Sequence, residues 1–259
     1  MTVTFFKYQG TGNDFILVDN RSLEFPKSDH QLIARLCDRR FGIGADGLIL
    51  LEHSAAHDFS MVYYNSDGNT SSMCGNGGRC LVAFANYLGL IKDRAVFDAI
   101  DGVHEARIQG VIVTLKMIDI DRVEVFDNHV FLNTGSPHHV CHRADLEALD
   151  VRKEGAKIRY GAPYHSEGAN VNFIEQTDKN TFKVRTYERG VEDETLSCGT
   201  GVVAVAIAAH KTSKTQDHTV ALKTRGGELE VSFDYHNNAY KNVFLKGPTA
   251  LVFQGEIEL

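Results

Sequence analysis

The sequence predicts an α/β (α+β) chain of two pseudo-symmetric domains, each a mixed β-sheet wrapped around a central buried helix, with a cleft between them. Three observations predict this. One short loop occurs twice, as Met73-Cys74-Gly75-Asn76-Gly77-Gly78-Arg79 and as Ser197-Cys198-Gly199-Thr200-Gly201. Each copy leads straight into an apolar run, residues 80–90 and 202–209. The strand patterns around the two copies match, so the chain carries an internal repeat of about half its length. The expected domains are residues 1–119 with 250–259, and residues 120–249.

Taken in order, residues 3–8 and 15–19 read as strands from their aromatic and β-branched content, with Gly10-Thr11-Gly12-Asn13-Asp14 as a loop spanning the gap. Ser28 is a good N-cap for a helix to about Arg40, with Leu32, Ile33, Leu36 and Cys37 on one face. Gly42 to Gly47 then leads to the apolar run Leu48 to Leu51. A strand over 59–64 feeds the loop 65–73 and the first cysteine. After the first apolar helix come strands over 95–99, 103–108 and 111–117. The second half repeats this, with a strand over 182–187, a polar loop to Cys198, a helix, and strands over 219–223, 228–233 and 243–245. Tyr64 and Tyr187 stand at matching distances before the two cysteines. The last segment, 250–259, is an extra strand expected to return to the first domain. Both helices after the cysteines are apolar nearly all round, and such a helix is buried on every side. Each cysteine is thereby held at a defined interior point.

The chain has 259 residues, enough for two domains with cores that need no disulfide staples. Its net charge of −7, with no Lys/Arg-rich run, argues against nucleic-acid or anionic-membrane partners. No apolar stretch approaches the ~20 residues of a membrane span, and no apolar signal region follows Met1, so a cytoplasmic protein is expected. Five cysteines (Cys37, Cys74, Cys80, Cys141 and Cys198) show no zinc-knuckle spacing, so all are read as free thiols. Cys37, Cys80 and Cys141 read as small buried hydrophobes, with Cys141 following a strand.

A helix N-terminus presents unpaired N–H groups and the positive end of the helix dipole. A cysteine there has its thiolate stabilised, and a carboxylate can bind the same N–H groups. Two such ends acting on one small anion suit a two-base racemase. One sulfur removes a Cα hydrogen and the other returns a proton to the opposite face. The N–H groups stabilise the carbanion as an oxyanion hole does.

At these residues the sequence closely resembles the diaminopimelate epimerase family, whose members work without pyridoxal phosphate. The resemblance is carried by Asn65-Ser66-Asp67-Gly68 through Cys80 and by Glu188-Arg189-Gly190 through Gly201. Gly10 to Phe15, Gly42 to Asp46, Gly135-Ser136-Pro137-His138 and Asn170-Val171-Asn172-Phe173 extend it over nearly the whole chain. It implies interconversion of LL- and meso-2,6-diaminopimelate, for lysine and cell-wall precursors, by a homodimer needing no cofactor and no metal. Cys74 and Cys198 would be the acid/base thiols. Asn13, Asn65, Asn170, Glu188 and Arg189 would hold the ends of the substrate, and Gly75-Asn76 and Gly199-Thr200 would give N–H groups to the reacting carboxylate. His138 and Glu188 would tune the thiols. Two positions depart from the family pattern. Ser136 stands where many members have Asn, and Gly47 where many have Gln, so the grip on the distal end of the substrate is expected to differ.

Four other readings compete. A proline or hydroxyproline racemase shares the two-cysteine logic but is disfavoured by Asn76, Asn65 and Glu188-Arg189. A non-catalytic amino-acid-binding protein would keep the shell alone. A cysteine–histidine hydrolase built on His138 leaves the second loop unexplained, and a thiol redox switch is a side reaction of facing thiols. The Gly42 to Gly47 run has dinucleotide-fingerprint spacing but leads into a strand rather than a helix. His53 and His57 have helical spacing without a further ligand pattern.

Overall fold

The computed structural model describes residues 1–71 and 73–259; Ser72, one of the Thr and Ser residues in the loop ahead of Cys74, lies outside the described residues. The chain begins with β1 (Thr2–Gly10), β2 (Asn13–Asp19), α1 (His30–Cys37), β3 (Gly47–Glu52) and β4 (Phe59–Asn65). There follow α2 (Gly75–Tyr87), β5 (Arg94–Ala99), β6 (Gly102–Gln109) and β7 (Ile112–Lys116). The second stretch has β8 (Val123–Val125), β9 (Val130–Asn133), β10 (Pro137–His142), α3 (Val151–Tyr160), β11 (Asn170–Asp178) and β12 (Thr181–Glu188). It continues with β13 (Asp193–Thr195), α4 (Gly199–Lys211), β14 (Thr219–Thr224), β15 (Gly227–His236) and β16 (Ala239–Pro248), and β17 (Ala250–Glu258) closes the chain. These elements form two compact units, Met1–Leu115 with Gly247–Leu259, and Lys116–Lys246.

In the first unit β17 pairs antiparallel with β1, and β1 antiparallel with β2. β2 runs parallel to β3, β3 antiparallel to β4, and β4 parallel to β5. β5, β6 and β7 close the order as antiparallel neighbours. In the second unit β8, β9 and β10 are antiparallel neighbours. β10 runs parallel to β11, β11 antiparallel to β12, and β12 parallel to β14. β14, β15 and β16 again end the order antiparallel. Apart from β13, which pairs antiparallel with β12 in the second unit, the two units therefore share one pairing sequence, strand for strand. In it the C-terminal β17 plays the part that β8 plays in the second unit, so the last strand has a counterpart after all.

Alternation along a strand explains how one sheet packs on both sides. Every residue of β3 is buried. Leu48 and Leu50 join Ile16 and Val18 in a cluster with Ile33 and Leu36 of α1. On β1, Phe6 and Tyr8 meet Phe84 of α2 at ring distances of 4.8 and 6.0 Å. In the second unit every residue from Val202 to Ala209 of α4 is buried.

Several local expectations are corrected. α1 is capped by Asp29, not Ser28: the Asp29 carboxylate accepts from the Leu32 amide at 2.9 Å, and the helix stops at Cys37. It stops because Asp38 turns extended and its carboxylate takes the Arg40 and Phe41 amides. α2 is not uniformly apolar. It begins five residues before Cys80 and carries buried Asn76 and Arg79, while Tyr87 in its last turn is exposed. Cys141 lies within β10 rather than after a strand. Five elements outside the sequence expectation are present: β8, β9, α3, β11 and β13.

Candidate active site

Cys74 is the N-cap of α2 and Cys198 the N-cap of α4, and neither side chain caps its own helix. The thiols thus sit where the first N–H groups of each helix point outward. Cys198 is buried and Cys74 half-buried.

Around Cys74 the polar groups come from the start of β2, the turn before β3 and the first turn of α2. The Cys74 Sγ lies 3.7 Å from the Asn13 Oδ1. That same oxygen accepts from Asn76 Nδ2 at 3.2 Å, while Asn13 Nδ2 donates to the Asp46 carboxylate at 2.6 Å. Arg79, fully buried, donates to Asn76 Oδ1 at 2.7 Å, to Thr11 Oγ1 at 3.3 Å and to the Gly75 carbonyl at 3.3 Å. Its Nη1 has no hydrogen-bond partner among the described residues. Burial pulls the Arg79 pKa down, while Cys80 and Cys74 act to raise it. Asp46 is tied by Arg39 to Asp14, and Lys7 reaches both Asp14 and the Gly44 carbonyl. Burial would raise the Asp14 pKa, but hydrogen bonds from Arg39 and Lys7 hold it well below the usual carboxylate range.

Asn65 ends β4 directly opposite Gly47, and its backbone closes the turn to Gly68 and Asn69. Gly47 is filled from outside. A Cβ there would stand 2.6 Å from the Tyr63 ring and 2.6 Å from the Tyr64 carbonyl, and 3.1 Å from the Tyr63 hydroxyl. Tyr63 occupies the space into which a longer side chain at position 47 would extend.

Around Cys198 the groups come from β10, β11, β12 and the first turn of α4. Cys198 Sγ lies 3.5 Å from Thr200 Oγ1, which lies 3.0 Å from His138 Nε2. The other ring nitrogen of His138 faces Asn172 Nδ2 at 3.0 Å. Asn172 Nδ2 also donates to the His139 carbonyl at 3.3 Å, and Asn172 Oδ1 accepts from Thr186 at 2.9 Å. His138 is fully buried. Burial first, and then the positive charge of Arg189, pull its pKa down to about 3, so the ring is neutral. Gly201 is the residue this arrangement requires: a Cβ there would stand 2.5 Å from Asn172 Oδ1 and 3.3 Å from Cys198 Sγ.

Asn170, Arg189 and Ser136 form a third group. Asn170 Nδ2 donates to Ser136 Oγ at 2.8 Å and to the Pro137 carbonyl at 3.1 Å, and its Oδ1 accepts the Arg189 amide at 2.9 Å. The Arg189 guanidinium donates to the Glu167 carbonyl at 3.0 Å and is exposed. Glu188 accepts from Thr195 Oγ1 at 2.8 Å.

Cys74, Gly75, Asn76 and Asn13 are thus gathered in the first unit, and Cys198, Gly199, Thr200 and His138 in the second. His138 reaches its cysteine through Thr200. Several residues of these networks escape the sequence expectation, Asp46, Arg79, Asn172 and Thr186 among them. Asn172 carried a usable signal, since it stands two positions after Asn170 and therefore on the same strand face. His53 and His57 lie outside any helix, and His57 pairs with Asp98 at 2.9 Å. Among the described residues no group of three His, Cys, Asp or Glu is placed to hold a metal ion. Among the described residues no helix is long and apolar enough to cross a membrane.

The family model described as diaminopimelate epimerase matches residues 5–116 and 130–252. A diaminopimelate epimerase of Flavobacterium psychrophilum is 58% identical over 253 residues, covering 97% of this chain and 99% of the relative. Among solved structures, a phenazine biosynthesis protein of the PhzF family from Bacillus anthracis superposes with a TM-score of 0.81 at 14% identity, each chain covered in full. A hydroxyproline epimerase from Agrobacterium vitis superposes with a TM-score of 0.69 at 12% identity, covering 100% of this chain and 93% of the other. These two likenesses concern the fold alone.

Proposed function

The chain belongs to the diaminopimelate epimerase family, and on that premise we propose that it interconverts LL- and meso-2,6-diaminopimelate on the path to lysine and the cell-wall precursor. The reaction inverts one Cα by a cofactor-free, two-thiol route. One sulfur takes the α-hydrogen as a thiolate, and the other, as a thiol, delivers a proton to the opposite face. After turnover the two have exchanged roles, so the enzyme runs in both directions. The observation that carries this reading is the paired placement of Cys74 and Cys198 as N-caps of α2 and α4, each with its side chain left out of the cap.

An α-hydrogen beside a carboxylate is a weak acid, so the carbanion needs stabilisation where charge develops. The amides of Gly75-Asn76 and Gly199-Thr200 supply it at the two helix ends, by analogy with oxyanion-hole donors worth roughly 2.7–4 kcal/mol each. Asn13, Asn65, Asn170, Glu188 and Arg189 hold the substrate's remaining groups. Arg189 meets a carboxylate in a bidentate pair and Glu188 an ammonium. Asn170 acts partly at one remove, because its amide fixes Ser136 and the Arg189 backbone. His138 and Glu188 tune the thiols. The two compact units are the two domains of the duplication. We further infer a cytoplasmic homodimer with no nucleic-acid or membrane partner.

Replacement of either thiol tests this. Cys74→Ala and Cys198→Ala should each lower epimerisation by at least the 10²–10⁴-fold expected of a lost acid or base, to about background. Near-normal turnover in either variant would exclude the two-thiol route. The kcat/KM profile should be bell-shaped, since one thiol must be ionised and the other protonated.

A further inference from the structure

We propose that the two half-sites have opposite hydrogen-bond polarity, which makes Cys198 the thiolate and Cys74 the thiol of the resting enzyme, with Asn172 and Asp46 as the positioning residues that set it. The proposal rests on the two-thiol reading and deepens it, because a two-thiol enzyme needs one sulfur charged before substrate arrives.

The direction of every bond up to Thr200 follows from groups that can act in only one way. A backbone carbonyl only accepts, so the Asn172 atom facing the His139 carbonyl is the amide nitrogen. That nitrogen therefore donates to His138 Nδ1, at 3.0 Å. A neutral imidazole has one N–H, which must then lie on Nε2. Nε2 donates to Thr200 Oγ1 at 3.0 Å, and of the two directions open to the 3.5 Å Thr200–Cys198 contact the one that continues this chain sends the Thr200 hydroxyl hydrogen to Cys198 Sγ. Every bond in the Asn172–His138–Thr200 chain delivers a hydrogen toward Cys198. A thiolate accepts it.

The first half-site runs the other way. A carboxylate only accepts, so the Asn13 atom at Asp46 is Nδ2. A guanidinium only donates, so the Asn76 atom at Arg79 is Oδ1, and Asn76 Nδ2 faces Asn13. Both constraints turn the same atom, Asn13 Oδ1, toward Cys74 Sγ. A carbonyl oxygen pinned there accepts from a thiol and repels a thiolate.

Other charges bear on each sulfur. In the first unit Arg79 favours a Cys74 thiolate, and Asp46 opposes it through Asn13; Asp14 is neutralised by Lys7 and Arg39. Cys80 on α2 is an ionisable neighbour of Cys74 and Tyr8 on β1 one of Cys80, and burial keeps both protonated, at about 12. β3 brings Glu52, which pairs with Lys27, and β6 brings His104, which pairs with Asp101. In the second unit the strands packed on α4 bring His138, His139 and Cys141 from β10, all neutral, while Arg189 acts on His138 and Glu188 accepts from Thr195. Arg185 is bound to Glu194, and His210 and Lys211 lie at the far end of α4. Arg79 has its use after the second proton transfer: once Cys74 has given its proton to the carbanion it is the ionised thiol, and a buried cation keeps that state accessible for the return direction.

The test is the pH titration of thiolate ultraviolet absorbance in the Cys74→Ser and Cys198→Ser variants. Cys37, Cys80 and Cys141 are silent in this range, because burial pushes their thiols up to about 12, 12 and 11. Cys198, read in Cys74→Ser, should ionise at least about one pH unit below Cys74, read in Cys198→Ser. In the Cys74→Ser background Thr200→Val should move the Cys198 titration upward and Thr200→Ser should restore it. In the Cys198→Ser background Asp46→Asn should lower the Cys74 titration. Cys74 ionising first, or the two titrating together, overturns the proposal, and so does a Thr200→Val titration that does not move. If wild-type enzyme epimerises and needs both cysteines while Cys74 ionises first, the polarity assignment alone fails. If neither cysteine is needed for activity, the two-thiol reading fails with it.

Discussion

Asn13, Asn76 and Asn172 are uncharged, yet they set the electrical character of both half-sites, because each amide has one donor end and one acceptor end fixed by a neighbour of single polarity. The same local logic governs Gly47. A Cβ there would stand 2.6 Å from the Tyr63 ring, so any side chain at this position competes with that phenol for the same space. Gly47→Gln should therefore destabilise the fold by about 1–3 kcal/mol through overpacking, read as a lower urea midpoint. Gly47→Gln with Tyr63→Ala should recover most of that loss; a single variant as stable as the parent would contradict the packing account. At this scale the cysteines were legible because their setting occurs twice in the sequence. Arg79, Asp46 and Asn172 were not, since a lone Arg, Asp or Asn acquires a role only from neighbours distant in sequence: Asp46 and Asn13 are 33 residues apart, and Asn172 and His138 are 34 apart.

α4 shows why a helix so apolar can still carry chemistry. Its buried run from Val202 to Ala209 fixes the axis, and its first turn delivers Cys198 and Thr200 with Gly201 pressed against Asn172. Gly201→Ala would gain about 1 kcal/mol of intrinsic helix propensity, but its Cβ would meet Asn172 Oδ1 at 2.5 Å. The expected outcome is a folded protein with epimerase activity reduced at least about tenfold, measured as kcat with circular dichroism unchanged. Full activity would show that Asn172 and Cys198 do not need this contact. The two core helices were readable as apolar runs. α3 was not: Val-Arg-Lys-Glu-Gly-Ala-Lys-Ile-Arg-Tyr is mostly polar, and it buries only Val151, Gly155 and Arg159 along one narrow stripe. β8 and β13 have three residues each, too few for alternation to show.

The fold as a whole repeats one strand-pairing sequence in its two units, with β17 supplied from the far end of the chain. Half-chain repetition was legible because both copies keep a cysteine, two glycines and an apolar helix. The match of β17 with β8 was not, since those strands share no residue pattern and are related only by what they pair with. The second unit also carries a liability. His138 and His139 are buried and neutral, each with its pKa lowered to about 3, chiefly by burial. Unfolded, both titrate near 6.5, so below that pH the unfolded chain binds more protons and stability falls with acid. The pair costs nothing above about pH 7 and removes about 2–3 kcal/mol by pH 5.5. Urea unfolding across that range should show the loss, and His139→Phe should halve this part of the slope. A slope untouched by the substitution would place the acid sensitivity elsewhere.

The central claim is that this chain inverts the Cα of diaminopimelate by exchanging its hydrogen through two protein thiols. The most direct measurement is incubation of the wild-type protein with LL-diaminopimelate in deuterated water, with no added cofactor. The account predicts that meso product forms with deuterium at the inverted Cα, and that product accumulates before deuterium enters the remaining LL substrate. Absence of both inversion and Cα exchange, or meso product carrying only the original hydrogen from the first turnovers onward, would contradict it.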